Sequence, residues 1–461
     1  MPRVRSLLLA MGGLAAGLAA AIGCSLHRVA EEPAPLIAPP DAWIDHDPLP
    51  ATPAEPLPGD AWWSALGVTD LDALIREALA GNLDAPQAVT RVAQAESLRR
   101  QAASLDEPQL DAVGQVGETW EEGEDTDFTL LGGLALGWEI DLFGRLREEA
   151  KARARELQAS RADLAAARLL LSIQVAEAWL QAVEQQLQLA LLDEQLELAE
   201  TLLELTRLRF SLGEASAVDV LQQLTLLEQV RAELPQAHSR LRTQENRIDV
   251  LLGAVPDGRD RTGPATALPV PAEFPAAGVP SDLLVRRPDL RALRERLVAA
   301  DHRVGQAIAE RLPRIALTGS FVQMSDPSAL AASAAANLVQ PLIDWGRREA
   351  GVDLAQASFH EALLRFTQTY LLAIEEVETT LWQEARQREL IEALDARRGA
   401  LKQTVVETRN RYSQGLTDYL PVLTAVQELQ EVERELLTQR RALVSLRVRL
   451  HAALGGDVPS V

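Results

Sequence analysis

Two aspartates occupy positions at which paired carboxylates could perform acid–base chemistry. Asp141 and Asp344 each stand where a strand-like pattern gives way to a long helical one. Acid–base catalysis needs a partner such as a histidine, a lysine or a nucleophile, and none stands directly beside either aspartate in the sequence. An aspartate at a helix start can instead accept hydrogen bonds from free backbone N–H groups. We therefore predict that both aspartates cap the helices that enter at Gly144 and Gly346.

Other residue types that support enzyme chemistry are scarce or misplaced. The pair His360-Glu361 begins like a zinc-protease motif, but position 364 is Leu rather than His. With six His and one Cys in 461 residues, neither a disulfide framework nor a Cys/His metal cluster is expected. The glycine-rich phosphate loop that ends in Lys-Ser or Lys-Thr does not occur. The sequence predicts no catalytic residue, no metal site and no cofactor, so an enzyme is the least favoured class.

The single cysteine has a specific position near the start of the chain. A basic start precedes an apolar run that is shorter than a transmembrane helix and rich in small residues. The run ends in Ala21-Ile22-Gly23-Cys24, which is similar to a bacterial lipobox. This pattern predicts a lipoprotein signal peptide over 1–23 and a lipid-modified Cys24 as the mature N-terminus. The alternative is a plain signal peptide with an incidental cysteine. Ser25, in place of an Asp, favours sorting to the outer membrane.

Composition argues against nucleic-acid binding and favours long helices. Lys+Arg is 45 and Asp+Glu is 67, which gives a formal net charge of −22, whereas proteins that bind phosphate backbones present basic surfaces. Aromatic residues make up only 4%, and Ala, Leu, Gln, Glu and Arg dominate long stretches. After the signal peptide no apolar run approaches the ~20 residues of a transmembrane helix. Any membrane crossing would therefore require strands.

Hydrophobic periodicity divides the folded part into two similar halves. Each half has the pattern of a helix, a pair of strands, a long helix, a tight turn and a second long helix. From Phe128 to Leu142 apolar residues occupy the even positions, which indicates a strand with one apolar face. A proline-rich segment before the halves is expected to be extended and unpacked. The expected segments are a lipid-anchored tether over 24–60, a first repeat over 61–254, a linker over 255–278, a second repeat over 279–456 and a tail over 457–461. In the first repeat we expect strands at about 108–142 and long helices at about 145–210 and 217–253. In the second repeat we expect strands at about 313–344 and long helices at about 347–412 and 418–455.

The two halves match one another closely enough to indicate an internal duplication. An isolated chain with four strands could not close a barrel, so several chains would have to share one. The matching positions are Asn82 with Arg287 and Pro108 with Pro313 at an interval of 205 residues, Asp141 with Asp344 at 203, and Arg209, Gly213 and Gly253 with Arg411, Gly415 and Gly455 at 202.

Three segments carry a resemblance to a known family. They are Trp138-Glu139-Ile140-Asp141-Leu142-Phe143-Gly144-Arg145, Ser281-Asp282-Leu283-Leu284-Val285-Arg286-Arg287-Pro288-Asp289 and Arg411-Tyr412-Ser413-Gln414-Gly415. The chain resembles the TolC-like outer-membrane efflux channels, in the lipoprotein branch that serves resistance-nodulation-division systems, over about residues 60–456. The resemblance implies a mainly α protein with a small β part. In that family three chains form a twelve-stranded outer-membrane β-barrel, which continues as a long periplasmic α-helical coiled-coil barrel with two internal repeats per chain.

The same resemblance implies a function and a set of partners. The function is that of an outer-membrane exit duct in a tripartite efflux system, which passively carries drugs or other small molecules from a periplasmic pump to the outside. The partners are two further copies in a homotrimer, a periplasmic adaptor (membrane fusion) protein, an inner-membrane resistance-nodulation-division pump and outer-membrane lipid. The implied location is the Gram-negative outer membrane, with a lipid anchor and a projection into the periplasm. The alternatives are a type I protein secretion duct and a periplasmic coiled-coil scaffold without a pore.

One segment departs from the family pattern. The alanine-rich stretch from Ala329 to Ala336 stands where the family usually has a longer patterned hairpin, and we interpret it as a connection. The second strand of this half is then expected from about Asn337 to Ile343.

The turns between the long helices are the candidate contact site. Glycine permits the left-handed cap that reverses the chain, and the resemblance adds that such turns line the periplasmic aperture and meet the adaptor. Asp219 and Asp418, repeated in a trimer, could form acidic rings that attract cations. Alternatively both are solvated turn residues, or Asp219 caps the returning helix. The candidate residues are Arg209, Gly213, Asp219, Leu221, Arg411, Gly415, Asp418, Tyr419 and Leu423.

Overall fold

The computed structural model describes residues 27–44, 61–119, 127–270, 278–323 and 330–456. The predicted signal peptide, Cys24 and the tail over 457–461 lie outside the described residues. The described chain is mainly helical with a small β part, as predicted. Its helices are α1 (Thr69–Gly81), α2 (Asp84–Ser104), α3 (Arg145–Ser211), α4 (Ala217–Leu251), α5 (Leu283–Arg286), α6 (Pro288–Ala309), α7 (Arg347–Ser413) and α8 (Leu420–Ala453), and its strands are β1 (Gln109–Thr119), β2 (Asp127–Ile140), β3 (Arg314–Gln323) and β4 (Leu330–Val339).

The two longest helices, α3 and α7, each contain 67 residues. At about 1.5 Å per residue each is roughly 100 Å long. Helix α3 contains neither Pro nor Gly and is rich in strong helix formers. Helix α7 contains Gly351 and Gly399, but a Cβ atom at either position would meet no atom within 4 Å, so close packing does not require these glycines. Within the described ranges, no helix has both the length and the apolar character needed to cross a membrane.

The four strands form one antiparallel sheet in the order β1-β2-β3-β4. Strands β2 and β3 come from different halves of the sequence and pair from Gly132 opposite Gln323 to Ile140 opposite Ile315. The prediction for the last strand was wrong, because the alanine-rich segment is itself strand β4 and pairs with β3 along its whole length. Alanine has little strand preference of its own. Pairing with β3, rather than a local pattern, therefore determines where β4 lies.

One face of the sheet is apolar and exposed in the single chain. Leu130, Leu134, Leu136 and Trp138 of β2 are exposed, whereas the intervening small or polar positions are partly covered. The cross-strand register extends this face, since Leu134 lies opposite Phe321, which is also exposed. A contiguous exposed apolar surface of this kind marks a contact with lipid or with another protein.

The chain divides into two compact units, of which one contains the sheet and the described residues within 27–38, 88–164 and 289–370. The other contains residues 39–44, 61–87, 165–270, 278–288 and 371–456 among those described, and it has an extensive apolar core. Two buried tryptophans anchor that core. Trp62 Nε1 donates to Ser172 Oγ at 2.9 Å, and Trp63 Nε1 donates to Asp72 Oδ1 at 2.7 Å. Both indole N–H groups therefore have the partners that buried tryptophans need.

The described part of the proline-rich segment, residues 27–44, is bound to the rest of the chain, so the prediction that it would be unpacked was wrong. His27 Nε2 lies 2.5 Å from Asp301 Oδ1, and the Ala30 N–H donates to Asp301 Oδ2 at 2.9 Å. Further along, Trp43 Nε1 donates to the Gly278 carbonyl at 2.9 Å. A proline-rich chain forms no hydrogen-bonded ladder of its own. Its remaining polar groups are satisfied by neighbouring side chains and carbonyls.

Candidate functional site

Asp141 and Asp344 bind the first turns of α3 and α7. The Arg147 N–H donates to Asp141 Oδ2 at 2.8 Å, and the Arg348 N–H donates to Asp344 Oδ2 at 3.3 Å. Arg348 also donates from its side chain to Asp344 at 2.9 Å, and these hydrogen bonds from Arg348 lower the pKa of Asp344. Carboxylates at a helix N-terminus satisfy free N–H groups and complement the helix dipole. The geometry gives both aspartates a structural role at the helix start.

Gly213 and Gly415 reverse the chain between long helices in the same way. Their φ angles are 78° and 72°, which lie in the left-handed region. The N–H after each glycine donates back to a carbonyl five residues earlier, from Glu214 to Arg209 at 2.8 Å and from Leu416 to Arg411 at 2.9 Å. This is the Schellman arrangement, which satisfies carbonyls at a helix C-terminus. A Cβ atom at either glycine would meet nothing within 4 Å, so the requirement for glycine is conformational.

Asp219 belongs to a capping box at the start of α4. The Asp219 N–H donates to Ser216 Oγ at 3.2 Å, and the Ser216 N–H donates to Asp219 Oδ2 at 2.8 Å. This reciprocal pair satisfies two free donors of the helix N-terminus. Asp418 has a different position, because it is exposed in the turn before α8. Both carboxylates line one shallow depression between the two turns.

Arg209 ties the end of α3 to the end of α7. Its Nη1 donates to the Tyr412 carbonyl at 2.9 Å and to the Ser413 carbonyl at 3.3 Å. Its guanidinium carbon lies 4.4 Å from the centre of the Tyr412 ring, a cation–π distance. Glu214 lies 3.7 Å from the same guanidinium. We call this set of contacts the arginine clamp. It holds two turns together within one chain.

Tyr419 and Leu423 do not have the position that was predicted for an adaptor contact. Both are buried, and they belong to one apolar cluster with Tyr412 and Leu226. The Tyr419 hydroxyl donates to Gln223 Oε1, and burial is the main cause that raises its pKa. An aromatic side chain that packs inside the chain cannot meet a second protein directly. These two residues therefore support the turn from within.

Gln223 is a part of the site that sequence reasoning missed. Its side chain is completely buried and donates from Nε2 to the Ala199 carbonyl at 2.8 Å, while its oxygen accepts from Tyr419. The sequence could have indicated this, because Gln223 lies at helical spacing from apolar residues that form the buried face of α4. A glutamine on a buried face must form hydrogen bonds within the protein.

Apolar side chains are exposed around the turns, and Leu221 is one of them. Large exposed apolar groups at loop ends are typical of protein contacts. In the part of the chain that the structure describes, no three His, Cys, Asp or Glu side chains form a metal-binding cluster. The exposed apolar residues of this turn surface are Phe210, Leu212, Val218, Leu221, Leu416 and Leu420.

Comparison with protein families gives one matching model, described as outer membrane efflux protein. It matches residues 74–254 and 279–456. These two ranges make up most of the chain, and the gap between them falls at the region between the two halves.

Individual relatives agree with the family match along nearly the whole chain. The pyoverdine export outer membrane protein OpmQ of Pseudomonas putida is 30% identical over 446 residues, which covers 91% of this chain and 92% of the relative. The cation efflux system protein CusC of Escherichia coli is 26% identical over 411 residues, with coverages of 86% and 88%. Among solved structures, the outer-membrane channel OprN superposes with a TM-score of 0.85 at 26% identity and covers 94% of this chain and 99% of its own.

Proposed function

Since this chain belongs to the outer membrane efflux protein family, we propose that it is the passive exit duct of a tripartite system that expels drugs or other small molecules. The observation that carries the proposal is the exposed apolar face of the four-stranded sheet. Strands β1 and β4 are the edge strands of this sheet. The names of the relatives include both pyoverdine export and cation efflux. Family membership therefore leaves the cargo open, and small molecules are the proposed class.

The sheet supports a barrel that three chains share. As edge strands, β1 and β4 each have an outer row of backbone N–H and C=O groups without a neighbouring strand. A membrane tolerates a sheet only when the sheet closes into a barrel. Three copies of a four-stranded sheet would give twelve strands with no free edge. The exposed residues Leu130, Leu134, Leu136 and Trp138 would then face lipid. The long helices would continue from the strands as a coiled-coil barrel in the periplasm.

An internal duplication would explain why the two halves use the same contacts. Asn82 Nδ2 donates to the Leu251 carbonyl at 2.8 Å, and Arg287 Nη1 donates to the Ala453 carbonyl at 3.0 Å. In each case the acceptor stands two residues before a glycine of positive φ, Gly253 or Gly455. Helices α3 and α7 have the same length of 67 residues. We infer two copies of one unit, each with its own pair of strands and its own helical hairpin.

The duct is tested by conductance in planar bilayers. The purified full-length protein should run as a trimer in detergent and should conduct ions in discrete steps. A variant with Leu134→Asp and Leu136→Asp, which places charges on the lipid face, should lose insertion while its helical content stays unchanged. A wild-type protein that is monomeric or gives no conductance would favour the periplasmic scaffold. Export of a protein substrate by the intact system, without small-molecule export, would favour the type I secretion duct.

We further propose that the turn surface contacts a periplasmic adaptor protein, coupled to an inner-membrane resistance-nodulation-division pump. Exposed apolar residues such as Leu221 and Leu416 support this, together with the hydrogen-bonded glycine turns beside them. Arg209, Gly213, Arg411, Gly415, Asp219 and Asp418 surround this surface. Tyr419 and Leu423 are not proposed as contacts, since both are buried.

Asp219→Asn and Asp418→Asn test the proposed acidic rings of a trimer. We expect Asp418→Asn to lower the preference of the channel for cations, because its exposed carboxylate is free to act on permeating ions. Asp219→Asn should change selectivity less, since the carboxylate is engaged by the Ser216 N–H. The measurement is the reversal potential of single channels in a salt gradient. Equal selectivity of the wild type and Asp418→Asn would assign Asp418 to the solvated turn instead.

We propose that Cys24 carries lipid and anchors the mature protein to the outer membrane, with 1–23 removed as a signal peptide. Several acyl chains give a stable anchor where one is marginal. Metabolic labelling with palmitate should therefore label the wild type and not Cys24→Ser. Equal labelling of both proteins would exclude this site. Channel assembly is expected to survive the substitution, because the proposed barrel holds the protein in the membrane independently.

A further inference from the structure

The arginine clamp has an unused counterpart at the other turn. Arg411 lies 202 residues after Arg209, at the end of α7, and Phe210 lies 202 residues before Tyr412, at the end of α3. Within the described ranges, the Arg411 side chain is exposed and forms no hydrogen bond or ion pair. The Phe210 ring is exposed as well. Each turn thus presents an arginine next to an aromatic ring, but only the combination of Arg209 with Tyr412 is formed within one chain.

The helix face that carries Arg411 is also uncovered further along α7. Leu371, Trp382 and Arg411 are separated by 11 and 29 residues, and at about 100° per residue these intervals place all three within about 40° around the helix. Leu371 is 40% exposed and Trp382 is 55% exposed. These three residues define what we call the open face of α7. Glu389 and Glu407 lie on the same line of the helix and are exposed, so this face is apolar at Leu371 and Trp382 and carries charged side chains towards Arg411.

The equivalent face of α3 is covered inside the chain. The residues that correspond to Leu371 and Trp382 are Leu169, which is 7% exposed, and Leu180, which is fully buried. Both belong to a core cluster that includes Val444 and Val448 of α8. At these two positions α3 is therefore packed inside the chain, whereas α7 is exposed apart from the Arg386 guanidinium, which lies 4.9 Å from the centre of the Trp382 ring. We call α3 with α4 the first hairpin and α7 with α8 the second. Within one chain the first hairpin packs against the second through this face of α3. Because the two hairpins are similar, the equivalent face of α7 is suited to pack against the first hairpin of another copy.

We propose that Arg411 of one copy clamps the end of α3 in a neighbouring copy, so that the open face of α7 is a contact between copies. The guanidinium would donate to the carbonyls of Phe210 and Ser211 of the partner subunit and stack on the aromatic ring of Phe210. This inference rests on the proposed trimer and adds the residues that close it at the turns. Three clamps within chains and three between chains would then alternate around the ring of turns.

The chemistry at both ends suits this contact. Carbonyl groups in the last turn of a helix lack intrahelical donors and accept hydrogen bonds from arginine readily. A planar guanidinium can donate to such carbonyls and lie over an aromatic ring at the same time, which a lysine cannot do as well. Phe210 replaces Tyr412 without loss of the ring face that attracts the cation. All the partners that Arg209 uses on Tyr412 and Ser413 therefore have equivalents on Phe210 and Ser211.

Cross-linking between copies tests the proposal directly. A variant with Arg411→Cys and Phe210→Cys is purified and treated with a bifunctional thiol reagent whose span is close to the length of an arginine side chain. We expect most chains to shift from the monomer band to covalent dimer and trimer bands. The matched control combines Arg409→Cys with Phe210→Cys, because Arg409 is also exposed near the end of α7 but points to another side. The single-cysteine variants show any contribution from Cys24.

A second measurement follows the strength of the contact without cysteines. Arg411→Ala should lower the temperature at which the trimer dissociates in detergent, Arg411→Lys should lower it less, and Arg409→Ala should leave it unchanged. A trimeric preparation in which the Arg411→Cys pair cross-links no more than the control pair would overturn the clamp and leave the duct intact. A wild-type protein that is monomeric would overturn both, and the size of the untreated protein distinguishes the two results.

Discussion

Glu384→Ala should destabilise the helical part of the protein by about 3–5 kcal/mol, because it leaves a buried arginine without its counter-ion. Arg447 Nη2 lies 2.6 Å from Glu384 Oε1, and the two side chains are 3% and 0% exposed. Arg388 lies 2.8 Å from the same oxygen. Burial and the charge of Arg447 lower the pKa of the neighbouring His451 to about 4, so at neutral pH the histidine adds no positive charge to those of Arg447 and Arg388. Glu384 is the carboxylate that both arginines contact.

The measurement is thermal or urea unfolding of the detergent-solubilised protein, followed by far-ultraviolet circular dichroism. The matched control is Glu389→Ala, which removes an exposed ion pair with Arg386 on the same helix and should change stability by only about 0–1 kcal/mol. A double variant with Glu384→Leu and Arg447→Met should recover most of the loss, since apolar residues can replace a buried pair. A loss for Glu384→Ala no larger than that of the control would show that water reaches Arg447.

Gly253→Ala should be far more damaging than Gly213→Ala, although both glycines have the same φ of 78°. A Cβ atom at Gly213 would meet nothing within 4 Å, so alanine there costs only the left-handed conformation, about 1–2 kcal/mol. At Gly253 the Cβ atom would lie 2.2 Å from the Gly81 carbonyl oxygen, and backbone cannot move aside as a flexible side chain can. We expect a total loss of roughly 2–5 kcal/mol for Gly253→Ala, from strain and overpacking together.

The comparison uses the same unfolding measurement for both variants, with the yield of folded protein as a second readout. Gly455→Ala should resemble Gly253→Ala, because its Cβ atom would lie within 3 Å of the Arg286 and Arg287 backbone. Equal losses for Gly213→Ala and Gly253→Ala would mean that the contact between α1 and the end of α4 gives way easily. In that case conformational strain alone would account for both results.

The long helices and strand β2 could be predicted from the sequence because each depends on a local pattern. Helix α3 has no Pro or Gly over its whole length, and β2 alternates apolar and small residues. The predicted start of α3 at about residue 145 agrees with the structure because Asp141 marks it with a capping carboxylate. Strand β4 could not be predicted in the same way. Its alanines have no alternation, and only the pairing with β3 makes it a strand.

The candidate site was predictable in its backbone but not in its side chains. Gly213 and Gly415 indicate turns in the sequence, since glycine is the residue that adopts the left-handed conformation of a helix C-cap without strain. Which side of the following helix becomes buried depends on contacts with a distant hairpin. Tyr419 was therefore predicted as a contact, whereas it hydrogen-bonds Gln223 in the interior. Arg209 was correctly placed at the turn, but its clamp on Tyr412 depends on a residue 203 positions away.

The alanine-rich composition of β4 has a consequence for strand register. Register between strands is normally fixed by side chains that fit only one alignment, and a shift by one residue is costly when it turns large groups to the wrong side. From Ala331 to Ala336 the side chains of β4 are nearly uniform. In the proposed barrel, a slipped alignment of β4 against strand β1 of a neighbouring chain would therefore cost little. The register of that seam would then have to be set by neighbouring strands with larger side chains, such as β2 and β3, rather than by β4 itself.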